Sequence, residues 1–170
     1  MADSAAQIIQ FMQFRRSGST RLAKVSYSAV EQRNPAANYH MFTLEELTKE
    51  IPGFKNYVSV DGGMPDNPRY ALYQADYTVC LASRMNDKAD FNCTVAGRCC
   101  ESGDLLQENV DLPKPQRGEV LAVLVTGAYN YSMASNYNRI PRPAVVGIKD
   151  GEDFEIIRRE TFADLVKNDL

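Results

Sequence analysis

Histidine is almost missing from this 170-residue chain: His40 stands alone. That argues against a zinc site and against a Ser-His-Asp constellation, both of which lean on imidazole. Cysteine is sparse too. Cys80, Cys93, Cys99 and Cys100 form no CxxC pair. A bond between the adjacent Cys99 and Cys100 would need a distorted peptide, so all four read as free thiols in a cytosolic setting. Positive charge is not in excess; the formal net charge of −3 is spread over both halves, and no basic patch calls for nucleic acid. No apolar run approaches the roughly 20 residues of a membrane span, and the opening M-A-D-S-A-A-Q lacks the basic start of a signal peptide. A cytoplasmic protein with no membrane or nucleic-acid partner is expected. P-loop, dinucleotide fingerprint, internal repeats and low-complexity segments are absent as well.

What is present reads mainly as β-structure. A helix is expected over A-A-Q-I-I-Q-F-M-Q-F, capped by Asp3 or Ser4, with Ile8, Ile9, Phe11 and Met12 on its apolar side. The stretch L-A-K-V-S-Y-S-A-V allows a strand, and Thr43 and Glu46 have capping-box spacing for a second short helix before Ile51. Residues 1–50 are thus weakly patterned, with one or two short helices. From residue 51 onward the texture changes. Strands are expected in Y-V-S-V (57–60), A-D-Y-T-V-C-L-A (75–82) and F-N-C-T-V-A-G (91–97). E-V-L-A-V-L-V-T-G (119–127) reads as a strand buried on both faces. P-A-V-V-G-I and D-F-E-I-I-R-R flank K-D-G, a hairpin signal. Short helices are expected in A-S-N-Y-N and after Thr161. Residues 51–170 therefore suggest an antiparallel, Greek-key-like β-barrel or sandwich with short flanking helices.

Three stretches carry more chemistry than a sheet requires. D-G-G-M-P-D-N-P-R-Y-A-L-Y (61–73) sets glycines and prolines around Arg69, and an arginine held by a rigid turn suits bidentate capture of a carboxylate. A solvated arginine on a surface turn fits the same letters. In C-C-E-S-G-D (99–104) a thiol could move a proton while Glu101 binds an ammonium group; buried cysteines beside an ordinary turn are the plainer alternative. T-G-A-Y-N-Y-S-M-A-S-N-Y-N-R (126–139) puts three tyrosines and three asparagines among small residues. That suits backbone passing close to a ligand with a tyrosine hydroxyl reaching a phosphate, or simply a helix start with exposed aromatics.

In this order, Y-V-S-V-D-G-G-M-P-D-N-P-R-Y-A-L-Y, T-V-A-G-R-C-C-E-S-G-D and G-A-Y-N-Y-S-M-A-S-N-Y-N-R-I-P-R-P-A-V-V resemble the C-terminal part of the diaminopimelate decarboxylases. These belong to the pyridoxal-phosphate-dependent fold type III group, with ornithine and arginine decarboxylases. The resemblance runs from about residue 50 to the C-terminus. It implies that Arg69 and Tyr73 hold the distal end of a substrate and that Glu101 binds it. It implies further that Cys100 donates a proton, and that Tyr129 touches both substrate and the phosphate of pyridoxal 5'-phosphate. It also implies a homodimer in which the Cys-Glu pair reaches the partner's site, with Cys99 a structural neighbour. Relatives commonly have proline where Tyr70 stands, a minor departure.

The same resemblance implies a (β/α)8 barrel carrying the lysine that holds the cofactor, a His-x-Gly-Ser stretch and E-P-G-R. None of these is present; Lys24 in R-L-A-K-V-S-Y is the nearest imitation of the lysine motif. About 50 upstream residues fall short of the roughly 200 that eight βα units take. The chain is therefore expected to be inactive alone: a decarboxylase fragment or half of a split enzyme that depends on a barrel domain. The alternative is a non-catalytic β-domain that binds or regulates a full-length decarboxylase.

Overall fold

Alternation along Val120–Leu124 puts Leu121 and Val123 on one face of a strand and Ala122 and Leu124 on the other, and all four are buried. A strand apolar on both sides belongs inside a sheet rather than at its edge, and this one has a paired strand on either side. The computed structural model describes residues 10–15, 39–43, 49–50 and 53–170, the first three segments as backbone. Among them the strands are β1 (Gln10–Arg15), β2 (Tyr39–Thr43), β3 (Lys49–Glu50), β4 (Asn56–Ser59) and β5 (Val79–Leu81), then β6 (Phe91–Ala96), β7 (Leu105–Leu112), β8 (Val120–Leu124), β9 (Ala144–Lys149) and β10 (Glu152–Ile157). They form two open sheets, ordered β10-β9-β1-β2-β8-β5 and β3-β4-β6-β7.

The core is what joins the sheets. Val79, Leu81, Leu121 and Val123 come from the six-stranded sheet, and Val58, Cys93, Val95, Leu106, Val110 and Leu112 from the four-stranded one. They make one buried cluster, so the two sheets stack as a sandwich. Short helices decorate it: α1 (Arg69–Tyr73), α2 (Asn130–Met133), a single 3-10 turn at Tyr137–Arg139, and α3 (Phe162–Val166).

Most elements expected after residue 53 are observed. Asp150 and Gly151 both take positive φ, 53° and 82°, which is the backbone a two-residue hairpin needs between β9 and β10. Thr161 and Asp164 cap α3 reciprocally. Four expectations need correction. The helix expected over A-A-Q-I-I-Q-F-M-Q-F is, at residues 10–15, strand β1: neighbours on both sides, β2 and β9, supply partners for its backbone. The expected antiparallel pairing holds for most strands but not all, because β1 pairs with β2 and β4 with β6 in parallel. Arg69 does not sit on a bare turn but opens helix α1 directly after Pro68. The helix expected in A-S-N-Y-N is split into α2 just before it and the 3-10 turn at its end. The expected strand at 22–30, the capping-box helix after Thr43 and the residues before Gln10 lie outside the described residues.

Candidate active site

Three connections gather at one end of the sandwich. The first leaves β4 and runs through D-G-G-M-P-D-N to α1. Val60 N–H still bonds to the Ala96 carbonyl at 3.0 Å, so the chain departs from a fixed point. The Gly63 carbonyl then accepts from both Asp66 N–H, at 2.9 Å, and Asn67 N–H, at 3.1 Å, closing a tight turn. Asn67 Oδ1 takes the Arg69 N–H at 3.3 Å. Arg69 and Tyr73 are four apart on α1 and so share a helix face.

The second connection joins β6 to β7 and contains R-C-C-E-S-G-D. Glu101 folds back on its own turn, one carboxylate oxygen accepting Gly103 N–H at 2.8 Å. Cys100 is exposed and Cys99 is half-buried. The Cys99 thiol is pushed up to about 12, first by burial and then by the neighbouring Asp104 carboxylate, so it keeps its proton across the neutral range. The third connection leaves β8 at Val125, a β-branched residue at φ 61°. Such a residue in the left-handed region costs about 1–3 kcal/mol, and here it turns the chain out of the sheet toward Tyr129.

Hydrogen bonds stitch the three together. Arg98 N–H reaches the Gly62 carbonyl at 3.0 Å, and Ser135 N–H reaches the Pro65 carbonyl at 2.9 Å. Cys100 N–H is held by Asn138 Oδ1 at 3.2 Å, and Asn138 sits at φ 53°, a conformation asparagine tolerates. Met64 N–H and Cys99 N–H both end on the Asp104 carboxylate. The Arg69 guanidinium carbon lies 5.7 Å from the Tyr73 ring centre and 5.1 Å from that of Tyr129. Both tyrosines are well exposed, so this cation is framed by two aromatic faces without being covered.

Arg69 is thus in contact with both Tyr73 and Tyr129, and Cys100 is bonded to the loop that carries Tyr129. Among the described residues no hydrogen bond or ion pair joins Cys100 or Glu101 to Arg69, Tyr73 or Tyr129. Asn138 and Asp104 were not singled out by the sequence reading. For Asp104 a signal existed: glycines at 63 and 97, in two separate motifs, share no turn requirement with each other.

Tyr70, where the resembling family commonly has proline, has a partner of its own. Its hydroxyl donates to Glu108 Oε2 at 2.8 Å, while Lys55 pairs with Glu108 Oε1. The bonds from Lys55 and Tyr70 hold the Glu108 carboxyl below the usual range, the bond to Glu108 raises Lys55, and burial followed by that same carboxylate pushes Tyr70 up to about 12. A depressed Glu108 contributes stability that is present above about pH 4.3 and lost as pH falls through its folded value. A raised Tyr70 contributes stability that is present below about pH 10 and lost as pH rises through about 12. Glu108→Gln is therefore expected to reduce the alkaline component to the part that burial of Tyr70 sets and to flatten the acid one, read as unfolding midpoint against pH for both proteins. Parallel curves for variant and parent would show that this trio does not anchor α1.

The C-terminal sheet domain of the pyridoxal-dependent decarboxylases matches residues 20–127. The chain belongs to that family. The match begins some way ahead of the motifs, so part of the weakly patterned N-terminal segment lies within the family domain. The diaminopimelate decarboxylase of Bacillus subtilis is 56% identical over 122 residues, covering 72% of this chain and 28% of its own length. Among solved structures, diaminopimelate decarboxylase from M. jannaschii aligns at TM-score 0.71 and 36% identity, over 78% of this chain and 30% of that one. The Helicobacter pylori enzyme, solved with L-lysine, aligns at TM-score 0.67 and 30% identity, over 76% of this chain and 31% of that one. The part of the chain that matches therefore spans less than a third of the length of these relatives. Among its described residues no helix is long and apolar enough to cross a membrane.

Proposed function

We propose that this chain is the substrate-gripping and proton-donating portion of a diaminopimelate decarboxylase, converting meso-2,6-diaminopimelate to L-lysine and CO2 in lysine biosynthesis. It works in the cytoplasm as part of a homodimer, with a barrel domain supplied by the rest of a longer chain or by a second subunit. The observation that carries this reading is the convergence of three connections on one end of the sandwich. Arg69 stands there between Tyr73 and Tyr129, with Cys100 bonded to the same loop as Tyr129.

A substrate with an amino and a carboxyl group at each end suits these residues. Arg69 offers its fork to the distal carboxylate, and Tyr73 lines that contact. Glu101, exposed and with one oxygen steadied by Gly103, presents negative charge to the distal ammonium group. Pyridoxal phosphate, when bound, supplies the electron sink that lets an amino acid lose CO2. Tyr129 fits one edge of that group: its ring is exposed, small residues precede it, and Arg69 lies close enough to favour a phosphate. Cys100 hands its thiol proton to the carbon that has lost CO2, leaving a thiolate for solvent to reprotonate. Cys99 cannot do this as well, because burial and Asp104 hold its proton tightly.

The test is a pyridoxal phosphate titration with CO2 detection from meso-diaminopimelate, run on the chain alone and with a barrel domain from the Bacillus subtilis relative. No cofactor absorbance and no CO2 are expected from the chain alone, and CO2 release from the pair. Cofactor absorbance with turnover in the chain alone would point to Lys24 as the cofactor lysine. Tight association with a full-length decarboxylase and no turnover would mark a non-catalytic partner instead.

A further inference from the structure

Asp104 is only 3% exposed, yet none of the substrate- or cofactor-binding roles above falls to it. Its Oδ1 accepts Met64 N–H at 2.6 Å and its Oδ2 accepts Cys99 N–H at 2.6 Å. Met64 lies in the turn that leads to Arg69, and Cys99 directly precedes Cys100. A single carboxylate therefore bonds to both site loops, and bonds from N–H to an ionised oxygen are stronger than neutral ones. The residue's backbone is used as well: its carbonyl takes Gly97 N–H at 2.8 Å and its N–H reaches the Glu101 carbonyl at 3.1 Å.

The packing around it is equally specific. A Cβ on Gly63 would come within 2.5 Å of Asp104 Oδ1, and one on Gly97 would lie closer still to Oδ2. Neither glycine has a positive φ, so neither is needed for backbone freedom. Each is bare to leave room for the carboxylate. Asparagine has the same outline but one acceptor and one donor, so one of the two N–H groups would face an NH2 group. Glutamate is a methylene too long for the space between two glycines. A buried carboxylate is a costly way to hold loops if cohesion is all that matters, since apolar packing does that without desolvating a charge. What it adds is a forked acceptor that fixes two donors at a set angle.

We infer that Asp104 is the positioning residue of the site, holding the turn that leads to Arg69 and the turn that ends in Cys100 at one separation, so that the proton donor is set against the substrate grip. This rests on the roles proposed above for Arg69 and Cys100, and the test separates the two claims. In this chain, iodoacetamide labelling resolved by peptide mass spectrometry reads Cys99 and Cys100 individually, and amide exchange reads Met64 and Cys99. Neither needs turnover. The parent should label at Cys100 with Cys99 protected. In Asp104→Asn the ratio of Cys99 to Cys100 labelling should rise by about tenfold or more, with Met64 and Cys99 amide protection falling by a similar factor. When the variant is paired with the barrel domain, kcat should fall by about tenfold with KM changed less than about twofold. Unchanged labelling and exchange in a folded variant would overturn the inference, and so would altered labelling with unchanged kcat. If Asp104→Asn does not fold, Gly63→Ala decides: it pushes on the carboxylate without removing it, and parental labelling there would overturn the inference too. Absence of CO2 from the parent pair would count against the decarboxylase reading, while labelling and exchange would still decide whether Asp104 ties the loops.

Discussion

Replacing Cys100 with alanine in the decarboxylase assembled from this chain and a barrel domain is expected to lower kcat by about 10²- to 10⁴-fold, the range general acid catalysis supplies. KM for meso-diaminopimelate should move far less, because Arg69 and Glu101 remain to hold the substrate. The assay is CO2 release under saturating cofactor. The informative control is Cys99→Ala, which removes the neighbouring thiol but keeps the Cys99 N–H that Asp104 holds. Geometry separates the two cysteines: Cys100 is exposed, whereas Cys99 is half-buried with its proton held by its surroundings. A loss from Cys99→Ala as large as that from Cys100→Ala would reassign the donor. An undiminished kcat in Cys100→Ala would remove the thiol from the mechanism altogether.

Leu121→Ala is expected to destabilise the fold by about 3 kcal/mol, within the 2–5 kcal/mol that leucine truncations in a core cost. Leu121 is fully buried, pairs in register with Leu81 of β5 and with position 42 of β2, and belongs to the cluster that joins the two sheets. Removing its isobutyl group leaves a cavity at the seam, and neither sheet can close it without shifting against the other. For a chain of this size the thermal midpoint should drop by roughly 6–12 °C. Urea unfolding gives the free energy directly. A change below about 1 kcal/mol would mean that the seam relaxes freely and that the sheets do not depend on one another there. The site loops spring from both sheets, β4 and β6 on one side and β8 on the other, so a loosened seam should also raise their amide exchange.

Wherever neighbours in sequence set the structure, the chain's letters were sufficient. The apolar run of β8 announces a strand buried on both faces, K-D-G announces the β9–β10 hairpin, and Thr161 announces the start of α3. The candidate-site motifs stand out in the sequence because each concentrates turn-formers beside a charged or nucleophilic residue, and the structure puts their loops side by side. Strand β7 was harder to see. Leu106 and Gln107 are both buried and Asn109 sits at φ 54°, so bulged pairing with β6 breaks its alternation and its polar letters hide a strand. The segment Gln10–Arg15 misled in the opposite direction. Its apolar residues suit a helix face as well as a strand, and pairing with β2 and β9, distant in sequence, decides between them.

The sequence by itself thus determined the mainly β character, the hairpin and the cap, since all of these follow from contacts within a few residues. Only the tertiary structure decided that strands β1 and β9 are neighbours, that Arg69 stands between Tyr73 and Tyr129, and that one buried carboxylate at Asp104 ties Met64 to Cys99. Those arrangements join residues tens of positions apart. Their geometry comes from two sheets closing on a shared core, which no local pattern encodes.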